Sequence, residues 1–273
     1  MVLEELINPQ SAEKSPYKML ILGFVFAIIG SLLALWIFKD EASMVMVFLT
    51  VFACIPLVYN TIKYEESFDE KIKEEKVLLK EHWKALKFFM YLFFGFIIAY
   101  ALLFIFLPGE MVQSLFETQL STIGQINSKI SGNVVAANLL LQILLNNLKV
   151  LLFCVFFAFF YGAGAIFILT WNASVIGAAI GTFVRDKISH VFSYFTLIPL
   201  GLLRYMTHGF FEILAYFIGG LAGGIISVAV INHDFESETF KTVIKDSLDL
   251  VILAVVILVM AALIEVFITP LFF

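Results

Sequence analysis

The chain is 273 residues long, 62% hydrophobic and only 14% charged, with 31 Phe and a mean hydropathy of +1.01. A soluble domain is roughly 45–50% apolar and about 25% charged, so a soluble globular enzyme, a disordered chain and a fibrous protein are excluded. Lys plus Arg number 17 and Asp plus Glu 22, the net charge is -5, and no basic run stands free of acidic residues; this argues against a nucleic-acid partner and makes the lipid bilayer the solvent.

Residues 1–18 are polar, with Glu4, Glu5 and Glu13. The apolar run after them is too long for a signal-peptide core and lacks a small-residue cleavage site, so it is expected to stay in the mature protein. A helix needs about 20 apolar residues to cross a hydrocarbon core of about 30 Å. Six windows qualify: 19–38, 44–62, 88–107, 148–171, 205–231 and 250–268. Between 172 and 204 stand two weaker segments, 173–184, too short to span, and 188–203, marginal and interrupted by Pro199. The first reads as re-entrant or as part of a broken helix, and such backbone survives only where protein or a wet cavity satisfies it, so the pair is expected inside the bundle. The fold class is therefore all-α, a polytopic transmembrane helical bundle of six or seven spans with a broken or re-entrant segment near 173–203. Its two parts are expected at 1–145, with three spans, and at 146–273, rich in glycine.

Orientation follows from Lys and Arg in short loops. A cytoplasmic N-terminus, with 188–203 counted as a span, puts 13 of the 17 inside, Arg185 and Lys187 among them, and leaves Lys39, Lys129, Lys149 and Arg204 outside. Seven of the 13 lie in the loop 63–87. This arrangement needs seven crossings and an external C-terminus; six crossings would leave Lys241 and Lys245 outside.

Two loops carry patterns of their own. In 63–87, Phe68, Ile72, Leu79, Trp83 and Leu86 recur at helical spacing among Glu and Lys, which predicts an amphipathic cytoplasmic helix extending the second or third span. In 108–146, Val112, Phe116, Leu120, Ile123, Ile126, Ile130 and Val134 recur among Gln, Ser, Thr and Asn, which predicts one or two external amphipathic helices packed on the protein itself, the outer leaflet or a partner.

Cys54 and Cys154 both lie in apolar runs, where a thiol is a small hydrophobe, and neither a disulfide nor a metal site is expected of them. Ten of the 16 glycines fall between Gly162 and Gly224, including Gly162, Gly177, Gly181, Gly209, Gly219, Gly220, Gly223 and Gly224. The four-residue spacings Gly177–Gly181, Gly219–Gly223 and Gly220–Gly224 let backbones approach closely, which lipid otherwise does little to drive. The tight packing is expected in the second half, within one chain or across a homo-oligomer.

The same half holds the polar residues that lipid penalises: Asn146 and Asn147, Asn172, then Arg204, His208 and Glu212, and later Glu265. Ionisable groups inside a span face the bundle or a cavity. Arg204, His208 and Glu212 stand four residues apart in turn, on one helix face, where they could neutralise one another, pass a proton or meet a substrate. One His and one carboxylate are too few ligands for a metal site. Asn147 and Asn172 are expected at opposite ends of one helix, with Asn172 capping a helix end or bonding the adjoining loop. Glu265, near Pro270, is expected to reach the outer interface. There is no His-Glu-x-x-His, Gly-x-Ser-x-Gly, phosphate loop or intramembrane Asp pair, so neither an enzyme nor a cofactor is expected.

The series Asn146-Asn147-Leu148-Lys149-Val150, Tyr161-Gly162-Ala163-Gly164, Trp171-Asn172-Ala173 with Gly177 and Gly181, His208-Gly209-Phe210-Phe211-Glu212-Ile213, and Gly219-Gly220 with Gly223-Gly224 resembles the stage II sporulation protein M family. The match covers about 146–227. Thr207 stands where the family usually has a Pro before His-Gly, and Ala173 where a Gly usually follows the Asn, so the chain resembles a divergent member. The resemblance implies a polytopic membrane protein without known catalytic chemistry, whose namesake scaffolds cell-wall hydrolases in spore formers. It carries His208 and Glu212 over as a signature polar pair. The expected function is a non-enzymatic scaffold or assembly factor in the cell envelope, with envelope protein partners. The alternative is a transporter or channel-like protein whose pathway passes Arg204, His208 and Glu212.

Overall fold

The computed structural model describes residues 17–69, 75–130, 136–161, 164–232 and 236–272. Among the described residues eight long helices follow one another: α1 (Tyr17–Ile37), α2 (Ala42–Asp69), α3 (Glu75–Phe106), α4 (Gly109–Ile130), α5 (Ala136–Tyr161), α6 (Ala165–Lys187), α7 (Tyr194–Asn232) and α8 (Glu238–Leu263). A π-helical turn, Ile264–Ile268, and a short 3-10 turn, Thr269–Leu271, continue α8. All but α4 carry a stretch long and apolar enough to cross a membrane, seven in all among the described residues. The protein is an all-α, multi-pass membrane bundle.

The window 148–171, read above as one span, is two. Helix α5 ends at Tyr161 and α6 starts at Ala165. The reason is glycine: a Cβ on Gly164 would lie 2.3 Å from the Phe157 carbonyl oxygen, so only a bare Cα lets the chain fold back this tightly. Segment 173–184 is accordingly the interior of a continuous α6, neither short nor re-entrant. The interruption within 173–203 falls at 188–193, where Ile188 and His190 are extended and Val191–Ser193 makes a 3-10 turn. Segment 188–203 is no separate span either; from Tyr194 it is the start of α7, a helix of 39 residues and so about 58 Å long at 1.5 Å per residue. Pro199 lies in its second turn, where it removes the bond to the Phe195 carbonyl close to the helix start without ending the helix.

Dividing the chain this way moves two cations. Arg185 Nη2 donates to the carbonyls of Ile105, at 3.3 Å, and of Leu107, so α6 ends beside the end of α3. Arg185 and Lys187 therefore lie at the opposite end of the bundle from the loop 63–87, and the expected division of Lys and Arg changes from 13 against 4 to 11 against 6. The amphipathic stretch 63–87 continues both neighbours: α2 runs out to Asp69 and α3 starts at Glu75.

A crossing as close as those of the second half lies in the first half, to which the glycine count did not point. A Cβ on Gly23 would stand 2.2 Å from the Leu92 carbonyl oxygen, and one on Gly95 2.2 Å from that of Leu20. These reciprocal contacts lock α1 and α3 in parallel, a small-residue crossing whose two glycines come from different helices and so leave no spacing motif. On its other face α3 receives α6, where Gly177 and Gly181 clear Tyr100 and Phe104. Gly219 and Gly223 of α7 face Leu151 and Val155 of α5, while Gly220 faces Ala165 of α6. These close contacts are within one chain. Gly209 is no packing glycine, since the nearest atom to its missing Cβ is the mobile Met206 methyl at 3.4 Å. Gly224 is buried, and Gly162 lies outside the described residues.

Helix α4 turns its apolar stripe into the bundle. Val112, Leu115 and Phe116 are buried, and the helix kinks at Phe116. Gln119, with no exposed surface, donates to the Ser43 carbonyl at 3.2 Å and to Ser174 Oγ at 3.1 Å, while the Ser43 and Thr118 hydroxyls meet at 2.5 Å. This polar seam ties α4 to α2 and α6. The side chains of Ile126, Ile130 and Val134 lie outside the described residues. Cys54 and Cys154 are buried free thiols.

Candidate functional site

Three elements bring polar side chains together between α5, α7 and the end of α8. Asn147 comes from α5, His208 and Glu212 from α7, and Glu265 and Thr269 from the turns after α8. Their depth follows from packing. Gly201 lies over Phe183 and Gly220 over Ala165, so α7 runs antiparallel to α6 and residues 208–212 stand level with its middle. The site is thus well inside the spans, where a polar group needs a partner.

Each group has one. Asn147 Nδ2 donates to Glu212 Oε1 at 2.5 Å. The Glu212 and Glu265 carboxyls are neighbours across α7 and the turn after α8. His208 Nδ1 meets Thr269 Oγ1 at 3.2 Å, and its Nε2 faces Glu265 Oε1 at 3.9 Å. Thr269 Oγ1 also donates to the Ile264 carbonyl at 3.2 Å. Since that uses its proton, the hydroxyl accepts from His208 Nδ1–H, which assigns the tautomer and leaves Nε2 as the nitrogen turned to Glu265.

The π turn explains how Glu265 arrives here. Widening the ladder rotates the residues after Leu263 relative to α8, and the Thr269 hydroxyl covers the Ile264 carbonyl inside that widened turn. Glu265 therefore turns toward Glu212 and not, as its place near Pro270 suggested, simply to the outer interface.

Arg204 is not in contact with this group. Its guanidinium lies over the rings of Phe183, 5.4 Å from the centroid, and Tyr205. Residues four apart share a face, yet Arg204 reaches α6 while Glu212 reaches α5 and the π turn, so there is no Arg-His-Glu ladder. Asn146 is exposed. Asn172 donates to the Ile168 carbonyl at 2.8 Å in the interior of α6, so it caps nothing; and because the chain breaks after Tyr161, it shares no helix with Asn147. Glu265 and Thr269 complete the site. A lone carboxylate in the apolar run 250–273 was the signal for the first; Thr269 had none.

The arrangement can clasp three helices. Among the described residues no group of three His, Cys, Asp or Glu could hold a metal ion. A groove of 460 Å³ between α2, α5 and α6, lined by Phe48, Val51, Phe52, Ile55, Phe157, Gly164 and Phe167, shares no residue with the cluster.

Neither a curated protein nor a solved structure matches the chain. The family model for stage II sporulation protein M matches residues 19–270. That span takes in all the spans and the whole polar cluster, beyond the second half to which the motifs above were confined, and the chain belongs to the stage II sporulation protein M family.

Proposed function

We propose that this chain is a non-enzymatic scaffold or assembly factor of the cell envelope, in which the polar cluster is a clasp. The observation that carries the reading is that the intramembrane polar groups are met by one another: Asn147 by Glu212, Glu212 by Glu265, His208 by Thr269. A clasp holds helices in place, and a scaffold is a protein whose shape is its activity. The N-terminus is cytoplasmic in this reading, because 11 of the 17 Lys and Arg then lie inside. The charged extensions of α2 and α3 around 63–87 offer the contact surface for membrane or envelope protein partners, while the apolar stripe of α4 is used inside the bundle.

A second reading draws on the Glu212–Glu265 pair itself. Paired acids beside a His within spans are the means by which transporters pass protons, and the cluster would then be a station on a path.

Thermal unfolding of the full chain and its Glu212→Ala variant in detergent, paired with reagent labelling of cysteines introduced one turn either side of Glu212, tests the two. A large loss of stability with the cysteines unlabelled supports the clasp. An unchanged unfolding temperature with labelling from one side of the membrane would overturn it in favour of transport.

A further inference from the structure

The α6–α7 end of the bundle holds two cations for which the function proposed above has no use. Lys187 Nζ stands 4.2 Å from the centroid of the Phe183 ring and Arg204 Cζ 5.4 Å from the same centroid. One buried ring thus gathers both charges to within about 10 Å of each other, close enough for one phosphate to receive hydrogen bonds of about 2.8 Å from both after a small turn of either stem. Gly201 fixes this arrangement, since a Cβ there would already lie 3.1 Å from the Phe183 ring.

We propose that Lys187 and Arg204, gathered at the Phe183 ring, form a site for the phosphate of a phospholipid headgroup.

Three observations support the assignment. Among the described residues neither cation makes an ion pair: the neighbouring Asp186 forms none with them, and Arg185 is spent on the carbonyls of Ile105 and Leu107. Cations gathered at one ring without an ion pair repel each other, and an anion bound to both lowers that cost. The depth fits a headgroup, because Phe183 lies one turn before the end of α6 at Lys187, about 6 Å along the axis. The surroundings fit acyl chains: Leu203 is 60% exposed and Phe195 80%, with Leu200 beside them, an apolar fence that a free inorganic phosphate could not use. Arg204 supplies a planar fork for two phosphate oxygens and Lys187 a mobile point charge.

The test is retention of lipid by the purified full-length chain in detergent, read by native mass spectrometry against added phosphatidylglycerol, against a diacylglycerol with the same acyl chains and no phosphate, and against inorganic phosphate. Wild type is expected to retain phosphatidylglycerol in preference to the diacylglycerol, with about a tenfold loss for each cation removed. The double variant Lys187→Gln with Arg204→Gln should lose the preference, and the exchange Lys187→Arg with Arg204→Lys should keep it. Lys187 is exposed, so Lys187→Gln alone leaves the fold intact and supplies the reading if the double variant does not fold. Unchanged retention by Lys187→Gln and by the double variant overturns the site. Displacement of the lipid by millimolar inorganic phosphate overturns the lipid in favour of a free anion.

Discussion

The crossing of α1 with α3 is a close approach of two backbones, whereas the junction of α5, α7 and α8 adds a polar cluster to its glycine contacts. At the first, two backbones touch through Gly23 and Gly95, and the window of α3 that crosses the membrane is 78% buried. At the second, the crossing windows of α5 and α8 are each only 22% buried, and the helices are joined by Asn147, Glu212, Glu265, His208 and Thr269. Lipid tails are as apolar as Leu, so apolar area alone cannot hold a helix to its neighbour; close van der Waals approach or hydrogen bonding must. In each junction a little-buried helix is held to a well-buried one: α1, 28% buried, to α3 by close approach, and α5 and α8 to α7, 89% buried, with hydrogen bonds added.

The sharpest way to break that contrast is to attack the glycine crossing. Gly95→Leu puts a side chain where even a Cβ meets the Leu20 carbonyl at 2.2 Å, and neither backbone has room to retreat. The expected cost exceeds the roughly 1–3 kcal/mol of ordinary overpacking, read as loss of the monodisperse folded peak on size exclusion in detergent. A Gly95→Leu chain that elutes and unfolds like wild type would show that α1 does not depend on the contact.

Next in size is the clasp. Glu212→Ala leaves Asn147 and Glu265 without their shared partner, at a cost of about 2–4 kcal/mol. Glu212→Gln keeps an acceptor for Asn147 and a donor for Glu265, so its unfolding temperature should fall between those of the Ala variant and wild type. Equal losses for Ala and Gln would mean that charge, and not hydrogen bonding, is what the position requires.

The helical order of the chain was readable from hydropathy because lipid demands uninterrupted apolar stretches, and the windows around α1, α2, α3 and α8 fall where those helices lie. The division at Tyr161 was hidden, since the run 148–171 is apolar throughout and hydropathy shows no seam in it. Gly23 and Gly95 were hidden for a different reason: the contact joins glycines far apart in sequence, whereas a spacing motif only reports two on one helix. In the polar cluster, Asn147, His208 and Glu212 stood out as costly residues, but facing direction was not readable from helical spacing, and Arg204 was grouped with them on that basis alone. The π turn that aims Glu265 has no sequence signature of its own.

Smaller effects sharpen the comparison. Gln119→Leu deletes the bonds from α4 to Ser43 and Ser174, and the expected loss is about 1–2 kcal/mol, read by thermal unfolding, with cysteines placed on α4 becoming more reactive. Unchanged reactivity would show that Val112, Leu115 and Phe116 suffice to seat the helix. Smallest of all is Gly209→Ala. With only the Met206 methyl near, it is expected to be neutral or to stabilise by up to about 1 kcal/mol through helix propensity; a clear loss would reveal a contact that the neighbouring His208 and Glu212 need.

The clasp is assembled from three helices that leave the ribosome in the order α5, α7, α8. Asn147 is therefore in place when Glu212 enters the bilayer, but the second acid, with its π turn and Thr269, arrives a whole helix later. In that interval His208 and half of the Glu212 carboxyl face lipid or insertion machinery with their bonds unmade, a state that hydrocarbon disfavours. Docking of the last helix ends it, so the same residues that hold the finished bundle also make its biogenesis directional: each insertion creates the need that the next one meets.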